Sequence, residues 1–96
     1  MVRVGVIGVG SMGQNHARVY FQKEDVTLVA IADSQTETVE KISRHYNCRK
    51  YADYREMLAK EELDAVSIAV PTSLHHAVAL YALSQKVAQG YVRVLG

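Results

Sequence analysis

The sequence has little of what would tie this chain to nucleic acid, to a membrane or to a disulfide framework. It contains one cysteine and one proline, and its 11 basic and 10 acidic residues leave a net charge of +1. These charges are mixed along the chain, so the basic stripe that tracks a nucleic-acid backbone is not expected. The one cysteine, Cys48, has no second cysteine for a disulfide and no ligand-type neighbours at metal-site spacing, which favours a reducing, cytoplasmic setting.

Long hydrophobic runs are also missing. The apolar start from Val2 to Val9 is interrupted by Gly5 and Gly8 and is followed by no cleavage-site pattern, so it is interpreted as a strand rather than a leader. No stretch approaches the roughly 18 apolar residues of a membrane-spanning helix. With 96 residues, 49% of them hydrophobic and 22% charged, the chain is expected to form one soluble globular domain, with no room for a second.

Apolar runs of strand character alternate along the chain with segments of helical spacing. The pattern predicts strands at Val2–Ile7, Val26–Ala32, about Lys50–Tyr51, Ala65–Val70 and, on weaker support, Tyr91–Leu95. It predicts helices from about Met12 to Lys23, from Ser34 onward, from Asp53 to about Lys60, and from Ser73 to about Ala88.

This alternation is typical of parallel strands that are joined by right-handed crossovers, with helices on both faces of the sheet. The predicted fold class is therefore α/β, a doubly wound parallel sheet in a single domain, with strand order 3-2-1-4-5. In such a sheet the ligand crevice lies where the order reverses, at the carboxyl ends of strands one and four. The loops at Gly8 and Pro71 are thus expected to face each other.

Two details of the helices are also predicted. Met12, His16, Val19 and Tyr20 fall near one side of the first helix, which is expected to be its inner face. Ser34 and Glu37 have the spacing of a capping box and are expected to start the second helix.

The glycines after the first strand match the pattern G-x-G-x-x-G. In that pattern Gly8 gives a tight turn, Gly10 allows close approach of backbone to a pyrophosphate, and Gly13 allows close packing of helix on strand. The diphosphate would lie at the amino end of the first helix, against the amide groups of Ser11, Met12 and Gly13, where the helix dipole favours an anion. The expected ligand is a dinucleotide.

An acidic residue supports this interpretation. Asp33 ends the second strand, 20 residues after Gly13, where it would accept hydrogen bonds from ribose hydroxyls and repel a 2′-phosphate. No arginine follows until Arg44, so NAD is expected and NADP is disfavoured. One alternative is that Asp33 only begins a turn. A second is a methyltransferase using S-adenosylmethionine, against which Gly13 and the loop after the fourth strand both argue.

These segments together carry a family resemblance. Gly8–Gly13 with His16, the pair Ala32-Asp33, and Val70-Pro71-Thr72-Ser73-Leu74-His75 resemble the amino-terminal domain of the Gfo/Idh/MocA oxidoreductases, the family of glucose-fructose oxidoreductase and inositol 2-dehydrogenase. The resemblance covers about Val2–Leu83. It implies a Rossmann-type fold and, for the enzyme, hydride transfer to or from a sugar or polyol.

The resemblance also implies site residues in the loop after the fourth strand. Val70, Pro71, Thr72 and His75 are expected to line the cofactor cleft. His75 and the neighbouring His76 would point about 100° apart on a helix and make a poor metal pair. His16 is expected to pack or to form a hydrogen bond, and neither a metal site nor a catalytic residue is assigned.

The end of the chain departs from the family pattern. Family members continue into Gly-Lys-His-Val, then a Glu-Lys-Pro motif with a catalytic lysine, then a substrate domain, whereas residues 84–96 carry neither motif and Lys86 stands in a different context. A natural truncation, a frame change and an excised piece all remain open. The chain alone is therefore expected to be inactive, with a non-catalytic dinucleotide-binding or interaction module as the alternative. Self-association through surfaces that the second domain covers in the family is also expected.

Overall fold

Strands and helices alternate along the chain as the sequence pattern predicts. The computed structural model describes residues 1–84, 86–87, 90–91 and 93–95. The strands are β1 (Val2–Ile7), β2 (Val26–Ala32), β3 (Arg49–Tyr51), β4 (Ala65–Ile68), β5 (Lys86–Val87), β6 (Gly90–Tyr91) and β7 (Arg93–Leu95). The helices are α1 (Ser11–Gln22), α2 (Thr36–Tyr46), α3 (Tyr54–Lys60) and α4 (Thr72–Leu83).

Among the described residues, the main sheet has five parallel strands in the order β3-β2-β1-β4-β7. This confirms the predicted doubly wound order, with β7 in the fifth position. The central strand, β1, lies between β2 and β4, and its buried residues Val4, Val6 and Ile7 are at most 2% exposed. Because the order reverses between β1 and β4, the loops that follow these two strands leave the sheet side by side.

Two groups of buried side chains cover the two faces of the sheet. On one face, Ile7 and Ile68 pack with Met57 of α3 and Val78 of α4. On the other, Val6, Leu28 and Ile31 pack with Ala17 of α1 and Val39 of α2. Within the described ranges, no helix is long and apolar enough to cross a membrane.

The inner face of α1 differs from the prediction. Gly13 and Ala17 are its buried residues, whereas Met12 is 64% exposed and Val19 is 38% exposed. Two small residues one turn apart allow the helix axis to approach the sheet closely, so the large apolar side chains beside them stay near solvent. The predicted inner face was therefore wrong for Met12 and Val19.

The start of α2 also differs from the prediction. The helix begins at Thr36, and the residue before it, Gln35, forms no side-chain cap. The expected capping box of Ser34 and Glu37 was wrong, because the carboxylate of Asp33 turns the chain instead by accepting a hydrogen bond from the Gln35 amide at 2.8 Å.

The last predicted elements are shorter than expected. Helix α4 ends at Leu83 rather than near Ala88. The predicted end was too late because no glycine or proline between Thr72 and Gln89 marks the end of the helix in the sequence. The predicted fifth strand is divided: β6 pairs antiparallel with β5, and β7 joins the main sheet beside β4. The remaining residues of these two predictions and of the departing segment, Gln85, Ala88, Gln89, Val92 and Gly96, lie outside the described residues.

Candidate functional site

A cleft of about 790 Å³ opens at the carboxyl ends of the parallel strands. The segments that follow β1, β2, β3 and β4 form its walls, which is the place predicted from the strand order. The lining residues include Gly8, Gly10, Ser11, Met12, Asp33, Ser34, Gln35, Asp53, Tyr54, Arg55, Val70, Pro71, Leu74 and Val78.

Gly8 joins the loop after β1 to the loop after β4. Its φ is +93°, a conformation that L side chains rarely adopt, and an added Cβ would lie 2.5 Å from the carbonyl oxygen of Ala69. Its amide donates to the carbonyl of Ala32 at 2.7 Å. Gly8 and Pro71 both line the cleft, so the expected meeting of their loops is confirmed.

Gly13 fixes the position of α1. An added Cβ there would overlap the carbonyl oxygen of Gly8, so the first turn of the helix packs directly on the turn that follows β1. This close contact is the helix-on-strand packing expected for the third glycine of the motif. Gly13 is buried and contributes no lining surface to the cleft.

Gly10 has the opposite environment. No atom lies within 4 Å of the position that a Cβ would occupy, and Gly10 lines the cleft. It is the N-cap residue of α1 and forms no side-chain cap, and the first turn carries no acidic residue. The amides of Ser11, Met12 and Gly13 lie in that turn, where a helix has no carbonyl partners of its own. This end of the cleft is therefore suited to an anion.

Asp33 connects the glycine loop to the turn after β2. One carboxylate oxygen accepts a hydrogen bond from the amide of Val9 at 2.7 Å, and the other accepts from the amide of Gln35 at 2.8 Å. Asp33 thus does begin a turn, as the alternative proposed, but it also lines the cleft. Since a carboxylate offers about four acceptor positions, these two contacts leave capacity for hydroxyl groups of a ligand.

The segment after β3 forms a wall that the sequence did not predict. The amide of Asp33 donates to the carbonyl of Tyr51 at 3.1 Å, which places Asp53 and Arg55 beside it along the cleft. Asp53 caps α3 by accepting from the Arg55 amide at 2.9 Å. The Arg55 guanidinium also holds the pKa of the Asp53 carboxyl below its usual value. The signal that could have found this wall is the strand order, because β3 ends next to β2.

The wall on the β4 side is apolar. Val70 and Pro71 line it as predicted, together with Leu74 and Val78 of α4. Thr72 and His75 lie on the same helix but are not part of the lining; Thr72 is exposed and His75 is half-buried. Contact of Thr72 and His75 with a cofactor therefore stays a prediction.

His16 forms a hydrogen bond beneath the cleft. Its Nδ1 lies 2.7 Å from the hydroxyl oxygen of Ser67, a residue of β4 that is 2% exposed. This bond links α1 to the centre of the sheet, which is the packing or hydrogen-bonding role expected for His16. Among the described residues, no cluster of three or more histidine, cysteine or acidic side chains is arranged to hold a metal ion.

A second, shallower hollow of about 500 Å³ shares no lining residue with the cleft and is called the Arg49 hollow. Its lining residues are Glu40, Ser43, Arg44, Asn47, Cys48, Arg49, Lys50, Tyr51 and Lys60. Basic side chains surround it, but each forms an ion pair with a carboxylate: Arg44 and Lys50 with Glu40, Arg49 with Glu61, and Lys60 with Glu56. Burial raises the pKa of the Cys48 thiol in this hollow to about 11, so the thiol is protonated at neutral pH and poorly nucleophilic.

The comparisons with known proteins agree with this geometry. The family model of the Gfo/Idh/MocA oxidoreductases, described as an oxidoreductase family with an NAD-binding Rossmann fold, matches residues 2–91. The chain belongs to this family. The match continues beyond Leu83, where the resemblance was expected to end.

Within the Gfo/Idh/MocA family, UDP-N-acetylglucosamine 3-dehydrogenase of Acidithiobacillus ferrooxidans is 38% identical over 86 residues, which are 90% of this chain and 26% of that protein. Inositol 2-dehydrogenase/D-chiro-inositol 3-dehydrogenase of Shouchella clausii is 35% identical over 85 residues, which are 85% of this chain and 25% of that protein. The crystal structure of myo-inositol 2-dehydrogenase from Lactobacillus plantarum matches with a TM-score of 0.82 and 30% identity, over 88% of this chain and 25% of that chain. The chain thus spans about a quarter of the length of these relatives.

Proposed function

We propose that this chain binds NAD in the cleft, with the diphosphate at the amino end of α1 and the adenosine ribose at Asp33. The observation that carries this proposal is the 2.7 Å hydrogen bond from the Val9 amide to the Asp33 carboxylate. It joins the acid that would receive the ribose to the loop that would receive the diphosphate. These two groups are neighbours in a dinucleotide, so one rigid unit holds both.

The orientation of the cofactor follows from the two walls. Asp33 fixes the adenosine half beside β2 and β3, so the nicotinamide half extends toward Pro71 on the β4 side. There Val70, Leu74 and Val78 offer an apolar surface that would exclude water from one face of the ring. When bound, NAD supplies the hydride acceptor, and the chain positions it.

The proposed enzyme reaction is hydride exchange between the nicotinamide and a sugar or polyol. Its support is the chemistry named for the relatives, which act on a UDP-linked amino sugar and on inositols. All of these substrates carry secondary alcohols. We therefore propose that the enzyme whose cofactor-binding unit is this chain oxidises a secondary alcohol.

Asp33→Ala is expected to weaken NAD binding about tenfold or more, because hydrogen bonds to a charged group contribute roughly 1.5 to 3 kcal/mol. The unsubstituted chain is expected to bind NAD more tightly than NADP, since the carboxylate repels the 2′-phosphate. Calorimetric titration of both cofactors into both proteins measures the two effects.

Asp33→Asn is the control for folding, because an amide oxygen can still accept from the Val9 amide while the charge is lost. It should keep the melting temperature closer to that of the unsubstituted chain than Asp33→Ala does, and it should narrow the difference between NAD and NADP. Equal affinity of the unsubstituted chain for the two cofactors would remove Asp33 from this role.

The 96-residue chain saturated with NAD is expected to transfer no hydride at an enzymatic rate. Catalysis requires a group that takes the proton from the alcohol and a surface that holds its carbon near the nicotinamide; positioning alone accounts for about 7 to 11 kcal/mol of a barrier. Among the described lining residues, the ionisable side chains are Asp33, Asp53, Tyr54 and Arg55, and none of them belongs to the segment after β4 that would face the nicotinamide.

The measurement follows NADH absorbance with a panel of sugars and polyols, with a full-length inositol dehydrogenase as the positive control. Saturable turnover that Gly10→Val eliminates would contradict the expectation. The absence of turnover with retained NAD binding favours the alternative for the chain alone, a module that holds a dinucleotide without catalysis.

Two further parts of the proposal concern the setting of the protein. A cytoplasmic location is supported by cysteine usage, because the single cysteine, Cys48, has no second cysteine in the sequence with which to form a disulfide. Self-association is supported by Leu80 and Leu83 of α4, which are 55% and 51% exposed. Sedimentation equilibrium of the purified chain measures this self-association.

A further inference from the structure

The cleft contains a positive charge in the region where the adenosine ribose is expected. Among the described lining residues, Arg55 is the one with a basic side chain. It lies in the first turn of α3 and its side chain is 60% exposed. A guanidinium is a good receptor for phosphate because its planar fork forms two parallel hydrogen bonds. Taken alone, Arg55 would favour a cofactor that carries a 2′-phosphate.

The Asp53 carboxylate forms an ion pair with the Arg55 guanidinium. Its two carboxylate oxygens accept from Nε of Arg55 at 3.1 Å and from a terminal nitrogen at 3.0 Å, so the Asp53 carboxylate binds the Nε side of the guanidinium through two hydrogen bonds. The Asp53 carboxylate also accepts from the Arg55 backbone amide at 2.9 Å, which ties the pair to the start of α3. The guanidinium lies 5.8 Å from the ring centre of Tyr54, which gives it a second contact. The pair as a whole is neutral.

The pair stands next to Asp33 because of the strand register. Ala32 of β2 pairs with Tyr51 of β3, and the amide of Asp33 donates to the Tyr51 carbonyl at 3.1 Å. Asp53 follows Tyr51 by two residues, and all three charged side chains, Asp33, Asp53 and Arg55, line the same cleft. A group attached to the ribose 2′ position would thus meet the Asp33 carboxylate, whose charge no basic side chain neutralises among the contacts described, and the Arg55 guanidinium, whose charge Asp53 neutralises.

We propose that Asp53 sets the preference for NAD together with Asp33, by occupying the Arg55 guanidinium that would otherwise bind the 2′-phosphate of NADP. This inference rests on the proposed function. It makes Asp53 a specificity-determining residue. Removal of the Asp53 charge leaves the Arg55 guanidinium without this carboxylate and available to the phosphate. Because the ion pair is exposed, and exposed pairs are weak, the gain is expected to be modest.

Asp53→Asn tests this proposal. Asparagine is as good an N-cap as aspartate, so α3 keeps its start while the side chain loses its charge. The ratio of NADP affinity to NAD affinity is expected to rise at least about threefold, a modest change because the site is exposed to solvent. Adenosine 2′,5′-bisphosphate, measured against adenosine 5′-monophosphate, should show the same rise, because the effect belongs to the adenosine end.

The double variant Asp53→Asn with Arg55→Gln should lose this gain, since Arg55 is the group that the substitution releases. Glu56→Gln is the matched control: it removes the same charge one turn into α3, from an exposed pair with Lys60 at 2.9 Å that does not line the cleft. It should leave the ratio unchanged. Asp53→Ser, which also keeps an N-cap, replaces Asp53→Asn if the latter fails to fold by circular dichroism.

The outcomes separate this inference from the proposal beneath it. Binding of NAD to the unsubstituted chain with an unchanged ratio in Asp53→Asn would overturn the role of Asp53 alone. A gain that persists in the double variant, or that Glu56→Gln reproduces, would overturn it too, because the cause would then be net charge and not Arg55. If the unsubstituted chain binds neither dinucleotide, the proposed function fails and this inference falls with it.

Discussion

Gly10→Val is expected to abolish dinucleotide binding while the fold stays intact. An added Cβ at Gly10 meets no atom within 4 Å, so the valine side chain occupies the cleft and not the core. The space it takes is where a pyrophosphate would approach the backbone at the start of α1. Affinity for NAD should fall at least about a hundredfold, since both the van der Waals contact and the amide hydrogen bonds of the diphosphate are lost.

Fluorescence titration of NAD and a thermal melt by circular dichroism measure the two halves of this expectation. Gly10→Ala is the graded companion, because one methyl group intrudes less and should weaken binding less. Retained normal affinity in Gly10→Val would contradict the assignment of the loop as the phosphate site. A melt that collapses would contradict the open environment that the structure gives to Gly10.

Gly13→Ala is expected to produce the opposite result, a large loss of fold stability. The added Cβ would overlap the Gly8 carbonyl oxygen, which belongs to the backbone and cannot turn aside as a flexible side chain would. Helix α1 must then lift from the sheet and uncover Ala17, which is fully buried. The expected loss in the free energy of unfolding is about 3 kcal/mol or more, at the upper end for overpacked sites.

Urea denaturation of Gly13→Ala beside Gly10→Ala measures this contrast. The two variants carry the same substitution three residues apart, yet Gly10→Ala should change the free energy of unfolding by no more than about 1 kcal/mol. Equal stability of the two variants would show that Gly13 is not in close contact with the turn after β1.

The main features of the fold could be predicted from the sequence because the strongest signals come from residues close together in the chain. The β-branched runs of β1 and β2 and the glycines between them predict a strand, a turn and a helix without reference to the rest of the chain. The buried face of α1 could not be predicted in the same way. Gly13 and Ala17 are buried because they are small, and a hydrophobicity pattern gives most weight to the larger Met12 and Val19, which the structure leaves exposed.

The candidate site also has a part that local sequence signals predict and a part that they do not. The glycine loop and Asp33 are recognisable from spacing, but Asp53 and Arg55 are brought to the cleft by the pairing of β3 with β2. Strand β3 has three residues and gives almost no periodic signal. On α4, Leu74 and Val78 line the cleft because residues four apart lie on one side of a helix. On this helix the family resemblance points to Thr72 and His75, whose contact with a cofactor stays a prediction.

The measurement that tests the central claim most directly is a titration of the isotope-labelled chain with NAD, followed by the amide signals in two-dimensional NMR spectra. The largest shifts are expected at Gly10, Ser11 and Met12, then at Asp33, with saturation at one equivalent. The amides of the Arg49 hollow should not shift. Shifts that concentrate in that hollow, or the absence of saturable shifts in the glycine loop, would contradict the account.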